Sequence, residues 1–160
     1  MKKIAILSVV LAMILALFAC TGAAQDKEVQ LGTSAFSIVL PAGYAETEDD
    51  FLEDQVAYYY KDDQSIDFDV YQWAKGDQRT LESEANAYAE LYGTVAEPVT
   101  VNGINGMKYV SIEEYEGASY TVVNYMFDDG VDLVEICFWT TDTAKEYEAV
   151  QEIINTLKKN

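Results

Sequence analysis

The chain has 160 residues, with 28 acidic and 10 basic side chains, a net charge of −18 and no histidine. Such a charge repels phosphate backbones and anionic lipid head groups, and the missing histidine removes the usual general base and the commonest transition-metal ligand. Half of the residues are hydrophobic and 12% are aromatic, so the chain can bury the core of one domain, but nucleic acid is excluded as a partner.

The first 19 residues have the layout of a secretory signal peptide. Lys2 and Lys3 precede an apolar run at residues 4–18, interrupted only by Ser8. The run is about 15 residues long, short of the ~20 that a membrane-spanning helix needs. We therefore expect residues 1–19 to be removed.

A lipid attachment site is indicated directly after this run. Residues 17–20 read Leu-Phe-Ala-Cys and resemble the lipobox of bacterial lipoproteins, in which the cysteine receives a diacylglyceryl group before cleavage. Phe18 departs from the small residue usual at its position. The resemblance implies lipid attachment at Cys20 and a place on the outer side of a membrane. The alternative is conventional cleavage after Ala19, which leaves Cys20 unmodified.

Residues 20–34 are small and polar with no sustained period, and we expect a flexible tether there. The single domain is then predicted at residues 35–160. Its first strand, residues 36–40, ends at Pro41 and Gly43, which interrupt regular structure. An acidic run separates this strand from a second one at residues 56–60.

A third strand at residues 66–74 carries the candidate binding residues. Ile66, Phe68 and Val70 alternate with Asp67, Asp69 and Tyr71, a period of two that predicts an antiparallel sheet with one buried face. Tyr71 and Trp73 fall on the face of the two aspartates. Aromatic rings with polar tips suit interfaces and sugar-stacking platforms. The alternative is that a helix covers both rings.

Residues 80–92 change to a helical period, with Thr80 as N-cap and Gly93 at the C-terminal end. Further strands are predicted at 98–101 and 107–113, on either side of a connection at 102–106 that contains Gly and Asn. Two more, at 120–127 and 131–140, lie on either side of Asp-Asp-Gly at 128–130. Both connections predict hairpins.

The strand at residues 131–140 contains Cys137 within an apolar stretch, where a free cysteine acts as a small hydrophobe, so a disulfide with Cys20 is not expected. Residues 142–159 predict a last helix, because Tyr147, Val150, Ile154 and Leu157 form one apolar stripe. Lys158 and Lys159 would favour the C-terminal end of its dipole.

These elements predict an α+β fold in which an antiparallel sheet is flanked by helices, with the C-terminal helix packed on the sheet. The opening Phe-Ser-Ile-Val-Leu-Pro-Ala-Gly-Tyr at residues 36–44, and the meander at 107–139 that leads into the last helix, resemble the PsbP family and its Ran-binding Mog-type relatives. That resemblance implies an α/β/α sandwich used as a binding or accessory module, and carries over no catalytic residue.

Catalytic motifs are missing from the sequence: there is no Gly-x-Ser-x-Gly, phosphate loop or zinc spacing. Acidic clusters at 48–50, 62–63 and 128–132 suit calcium in residue type but not in spacing, and solvated loops explain them more simply. We therefore predict no catalytic residue, no metal ligand and no cofactor other than the diacylglycerol on Cys20.

The leading functional hypothesis is a lipid-anchored, non-enzymatic accessory protein that binds another envelope protein and meets the membrane through its lipid alone. A small-ligand or calcium-binding lipoprotein is the alternative. A hydrolase with paired carboxylates is a third class, and it predicts a concave site with a carboxyl group of raised pKa.

Overall fold

The computed structural model describes residues 25–47, 52–61, 66–141 and 144–160. The predicted signal peptide, Cys20 and the acidic clusters at 48–50 and 62–63 lie outside these ranges. The strands and helices, in chain order, are β1 (Lys27–Gln30), β2 (Phe36–Leu40), β3 (Tyr44–Glu46), β4 (Gln55–Lys61), β5 (Asp67–Ala74), α1 (Leu81–Leu91), β6 (Glu97–Val101), β7 (Ile104–Tyr115), β8 (Ala118–Asp128), β9 (Asp132–Thr140), α2 (Ala144–Ile154) and β10 (Lys158–Lys159).

Seven of these strands form one antiparallel sheet in the order β3-β4-β5-β9-β8-β7-β6. β9 lies between β5 and β8, so the chain returns from its hairpins to the middle of the sheet. A second antiparallel sheet has the order β1-β2-β10.

The two faces of the large sheet are covered differently. On one face, inward side chains such as Phe68, Phe138 and Val134 pack with the small sheet and with α2, through Val150 and Ile154. On the other face, α1 covers only part of the sheet. The predicted α+β class, with an antiparallel sheet flanked by helices and the C-terminal helix on the sheet, is confirmed.

Helix α1 begins and ends where the sequence predicts. The Thr80 hydroxyl accepts from the Ser83 amide at 3.1 Å, and the Ser83 hydroxyl accepts from the Thr80 amide at 2.9 Å, which forms a capping box. At the other end, the amides of Gly93 and Thr94 donate to the carbonyls of Glu90 and Ala89 in a Schellman arrangement. Gly93 has a φ of 69°, which glycine adopts without strain.

Helix α2 is shorter than predicted. It ends at Ile154, and Lys158 and Lys159 do not meet its dipole but form β10, which pairs with Ser37 and Phe36 of β2. The edge of β2 offers unpaired backbone groups, and these hold the last residues better than one more helical turn would. The predicted apolar stripe is confirmed, with Val150, Ile154 and Leu157 fully buried.

The predicted tether at residues 20–34 is wrong for residues 25–34, because the fold begins before residue 35. β1 pairs with β2 from Lys27↔Leu40 to Gln30↔Ser37. Val29 and Leu31, two apolar residues at a spacing of two, are buried in the main core. A strand of four residues is too short to show a recognisable alternation of apolar and polar residues in the sequence.

The hairpin connections are tight. Asn102 and Gly103 alone join β6 to β7, with φ values of 50° and 80°, so the turn is shorter than the predicted 102–106. Glu116 and Gly117 join β7 to β8 with φ values of 51° and 82°.

Neither α1 nor α2 is long and apolar enough to cross a bilayer.

Candidate functional site

The candidate site is a groove on the face of the large sheet that α1 covers in part. The register across β5, β9, β8 and β7 fixes the rows of side chains on this face. One row contains Tyr71, Glu135, Met126 and Met107, and the next contains Asp69, Cys137, Asn124 and Tyr109. The sheet therefore places the carboxylates of Asp69 and Glu135 in adjacent rows, as diagonal neighbours.

The position of α1 decides which rows stay open. Ala85 and Ala89 pack with Met107, Met126 and Leu133, so the helix closes one end of the face. Beyond the helix, this face of the sheet holds two adjoining cavities. The inner cavity has a volume of about 240 Å³ and the outer cavity about 460 Å³. Tyr71 and Trp139 line both, so the two cavities adjoin at these side chains, and we refer to them together as the groove.

Glu135 lies in the inner cavity and is only 5% exposed. Its Oε1 accepts a hydrogen bond of 2.6 Å from the Tyr109 hydroxyl, which reaches over β8. The pKa of Glu135 is raised to about 7, mainly by burial; the Tyr109 hydrogen bond opposes this shift, and the charge of Glu113 adds to it. Burial and the neighbouring Glu135 also raise the pKa of Tyr109, so its hydroxyl stays protonated and donates.

Asp69 is the second buried carboxylate of the groove. Its Oδ2 accepts from the Trp139 indole at 2.6 Å, and its Oδ1 accepts from the Gln55 amide at 2.5 Å. Burial raises the pKa of Asp69 to about 6, although both hydrogen bonds favour the charged form. The indole of Trp139 is thereby fixed between the two cavities.

The walls of the groove are mostly aromatic. Tyr92 stacks on Tyr109 with ring centroids 6.3 Å apart, and Tyr120 meets Trp139 edge to face at 5.8 Å. Tyr58 donates to Asp67 at 2.9 Å in the outer cavity.

The lining carries negative charge only. No lysine or arginine is among the described residues that line either cavity. The acidic side chains that line them are Glu53, Asp54, Asp67, Asp69, Glu113 and Glu135. A positively charged group in the groove would therefore meet carboxylates and aromatic faces together.

The two predicted binding residues occupy different positions. Tyr71 lines both cavities and is half-buried. Trp73 lines the inner cavity but packs against Tyr88 of α1 at 5.8 Å, and its indole Nε1 is buried without a hydrogen-bond partner in the described part of the chain. The helix that was the alternative explanation covers Trp73 and leaves Tyr71 open.

The acidic cluster at 128–132 serves the turn that contains it. Asp128 pairs with Lys75 at 2.6 Å, and the Oδ1 of Asp129 accepts from the amides of Val131 and Asp132 at 2.8 Å. Over the described ranges, no three acidic or cysteine side chains are grouped to hold a metal ion. Cys137 is buried and free, and burial raises the pKa of its thiol, which keeps it protonated.

Sequence reasoning missed Glu135, Tyr109 and Asp69 as a group. One signal was present: Glu135 interrupts an otherwise apolar strand, and a charged residue is rarely fully buried unless it is paired. The pairing with Tyr109, 26 residues away, follows from the sheet register, which one sequence does not reveal.

No family model matches the chain, and no curated protein matches it in sequence. Solved structures do match in shape. Cyanobacterial PsbP (CyanoP) from Synechocystis sp. PCC 6803 is 8% identical with a TM-score of 0.63, over 88% of this chain and 95% of that one. The Ran-binding protein Mog1p from Saccharomyces cerevisiae is 16% identical with a TM-score of 0.52, over 86% and 96%.

A protein from Bacteroides thetaiotaomicron VPI-5482 is 21% identical with a TM-score of 0.57. The match covers 82% of this chain and 49% of the Bacteroides chain, so this protein spans about half the length of that one. Together the similarities establish a PsbP/Mog1-like fold and confirm, for the fold, the resemblance predicted from the opening strand and the meander.

Proposed function

We propose that this PsbP/Mog1-like chain is a lipid-anchored, non-enzymatic accessory protein that binds another protein on the outer side of a bacterial membrane. The observation that carries the proposal is the groove, which combines buried carboxylates, aromatic walls and an open outer end. The anchor is supported by the sequence alone, through the signal-like residues 1–19 and the lipobox-like Cys20.

Exposed apolar side chains at the groove favour a protein as the bound partner. Leu52 is 68% exposed and Tyr115 is 61% exposed, and both line the outer cavity; Tyr92, 43% exposed, lines the inner one. Exposed apolar groups next to a concave site are typical of protein interfaces, where tyrosine is a frequent anchor. The fold serves protein binding in at least one relative in shape, because Mog1p is a Ran-binding protein.

Site-specific photo-crosslinking in native membranes tests the proposal. A photo-crosslinking amino acid replaces Tyr115 in the outer cavity, or Val131, which is 76% exposed and lines neither cavity, as the matched control. We expect one protein to be crosslinked from position 115 and not from 131. Equal crosslinking from both positions, or none from 115, would contradict a binding role for the groove. Mass spectrometry of the N-terminal peptide shows in the same sample whether Cys20 carries the lipid.

A carboxylate-pair hydrolase is the second candidate, because the groove is concave and burial raises the pKa values of Glu135 and Asp69. Asp69 pairs with Cys137, two residues along β9 from Glu135, so the two carboxylates are near neighbours. A panel of chromogenic glycosides and esters separates the candidates. Turnover that disappears in both Glu135→Gln and Asp69→Asn would replace the binding proposal, and we expect no turnover in any variant.

A further inference from the structure

The inner cavity contains the carboxyl group of Glu135, and the described residues that line this cavity supply no positive charge. Glu135 is 5% exposed, and its one hydrogen bond, from Tyr109, goes to Oε1. The charged side chains that line the cavity with it, such as Glu113 and Asp54, are acidic. Without a counter-charge, burial favours the protonated form of this group, and a cation brought beside it would favour the carboxylate instead.

The surroundings of Glu135 suit a cation. Tyr71, Trp139, Tyr92 and Tyr109 line the same cavity, and the electron-rich faces of such rings attract ammonium and guanidinium groups. The amide side chain of Asn124 also lines the cavity and adds a polar contact beside the carboxylate.

The dimensions favour one long side chain over a whole ligand. The inner cavity of about 240 Å³ is smaller than the ~300–1,000 Å³ usual for small-molecule sites. The outer cavity, of about 460 Å³, adjoins it at Tyr71 and Trp139 and is lined at the surface by Tyr115 and Leu52. An extended segment in the outer cavity could thus send one side chain inward.

We propose that the bound protein inserts a lysine or arginine side chain into the inner cavity, where it pairs with Glu135 between the tyrosine and tryptophan rings. This inference rests on the proposed binding function and adds the chemistry that the partner presents. In the partner, the residues on either side of this lysine or arginine pack against Tyr58, Tyr115 and Tyr120 in the outer cavity. The acid-only lining rejects segments with an acidic residue at that place.

The first test repeats the crosslinking from position 115 in two further variants. Glu135→Gln removes the buried charge and keeps its shape, and Glu152→Gln removes an exposed charge on α2 as the matched control. We expect Glu135→Gln to lower the crosslinking yield about tenfold or more and Glu152→Gln to leave it unchanged, because loss of one partner of a buried charge pair is costly. An unchanged yield in Glu135→Gln would overturn this inference and leave the proposed binding function standing.

The second test uses defined probes and tryptophan fluorescence, which comes from Trp73 and Trp139, both in the lining of the inner cavity. The probes are a hexapeptide with one central arginine, the same peptide with neutral citrulline, and free arginine amide. We expect the arginine peptide to bind at least about tenfold more tightly than the citrulline peptide, and Glu135→Gln to abolish the difference. Equal binding of both peptides would overturn the inference. Arginine amide that binds as tightly as the peptide would make this a small-cation site and would overturn the insertion by a partner.

Discussion

At the scale of single residues, Glu135 is the side chain on which both the groove and the stability of the fold depend. It lies on a central strand and accepts a hydrogen bond from Tyr109, and burial raises the pKa of its carboxyl group from 4.5 to about 7. Its charge state therefore couples the binding surface to the folding equilibrium.

The pH dependence of folding tests this coupling. Glu135 has an ordinary pKa of 4.5 and one of about 7 in the folded chain, so between these values the folded chain holds a proton that the unfolded chain releases. Raising the pH through this window removes stability. Glutamine does not titrate, so Glu135→Gln should gain stability relative to the natural chain by up to about 3 kcal/mol between pH 5 and pH 8.

Urea unfolding at both pH values measures this difference. Glu152→Gln, the same substitution at an exposed position of α2, is the control. The same stability difference between Glu135→Gln and the natural chain at both pH values would show that position 135 does not titrate near neutral pH.

At the scale of elements, two hairpin turns with a similar backbone conformation make different contacts. Asn102 and Glu116 are each the first residue of a two-residue hairpin turn, at nearly the same positive φ. The side-chain amide of Asn102 also donates to the carbonyls of Asn155 and Leu157, at 2.5 and 3.1 Å, and so ties the β6–β7 turn to the end of α2. Glu116 is exposed.

Glycine substitution separates the effect of the backbone conformation on stability from the effect of the side-chain contacts. Glycine adopts the required φ freely, so Glu116→Gly should leave the free energy of unfolding unchanged or raise it slightly. Asn102→Gly keeps the turn but loses two hydrogen bonds to the residues that follow α2, and we expect a loss of about 1–2 kcal/mol. Thermal or urea unfolding of both variants measures the change in the free energy of unfolding at each position. An equal effect at both positions would mean that the contact with α2 adds nothing.

Elements with local signals could be predicted from the sequence, and those held by distant partners could not. Thr80 and Gly93 mark α1 because their capping groups act within a few residues. β1 and β10 are short and exist because β2 lies between them, so nothing in their own residues gives a period. The same holds for the site: the alternation in β5 predicts the face of Tyr71, whereas the meeting of Tyr109 with Glu135 needs the order of the whole sheet.

At the scale of the whole molecule, the net charge of −18 acts on folding and on binding in opposite directions. Like charges repel one another in the compact state, and salt screens that repulsion. The same screening weakens the attraction between an acidic groove and a basic partner.

Two measurements at 0.05 and 0.5 M sodium chloride check this prediction. The melting temperature of the chain alone should rise by a few degrees in high salt, while the affinity for the arginine hexapeptide should fall. If salt strengthened the binding of the peptide, apolar contacts and not charge would dominate the groove. A melting temperature that falls in high salt would mean that favourable ion pairs outweigh the general repulsion.

The early start of the fold at β1 limits how far the domain can stand from a membrane. Between Cys20 and Lys27 the chain can extend roughly 25 Å at most. A domain of this size is roughly 35 Å across. If Cys20 carries a lipid, the groove stays within about two domain diameters of the bilayer. Its diffusion is then confined to a thin layer along the membrane. Proteins in the same membrane then meet it at a high effective concentration, so even weak recognition of one basic side chain is enough to select a neighbour.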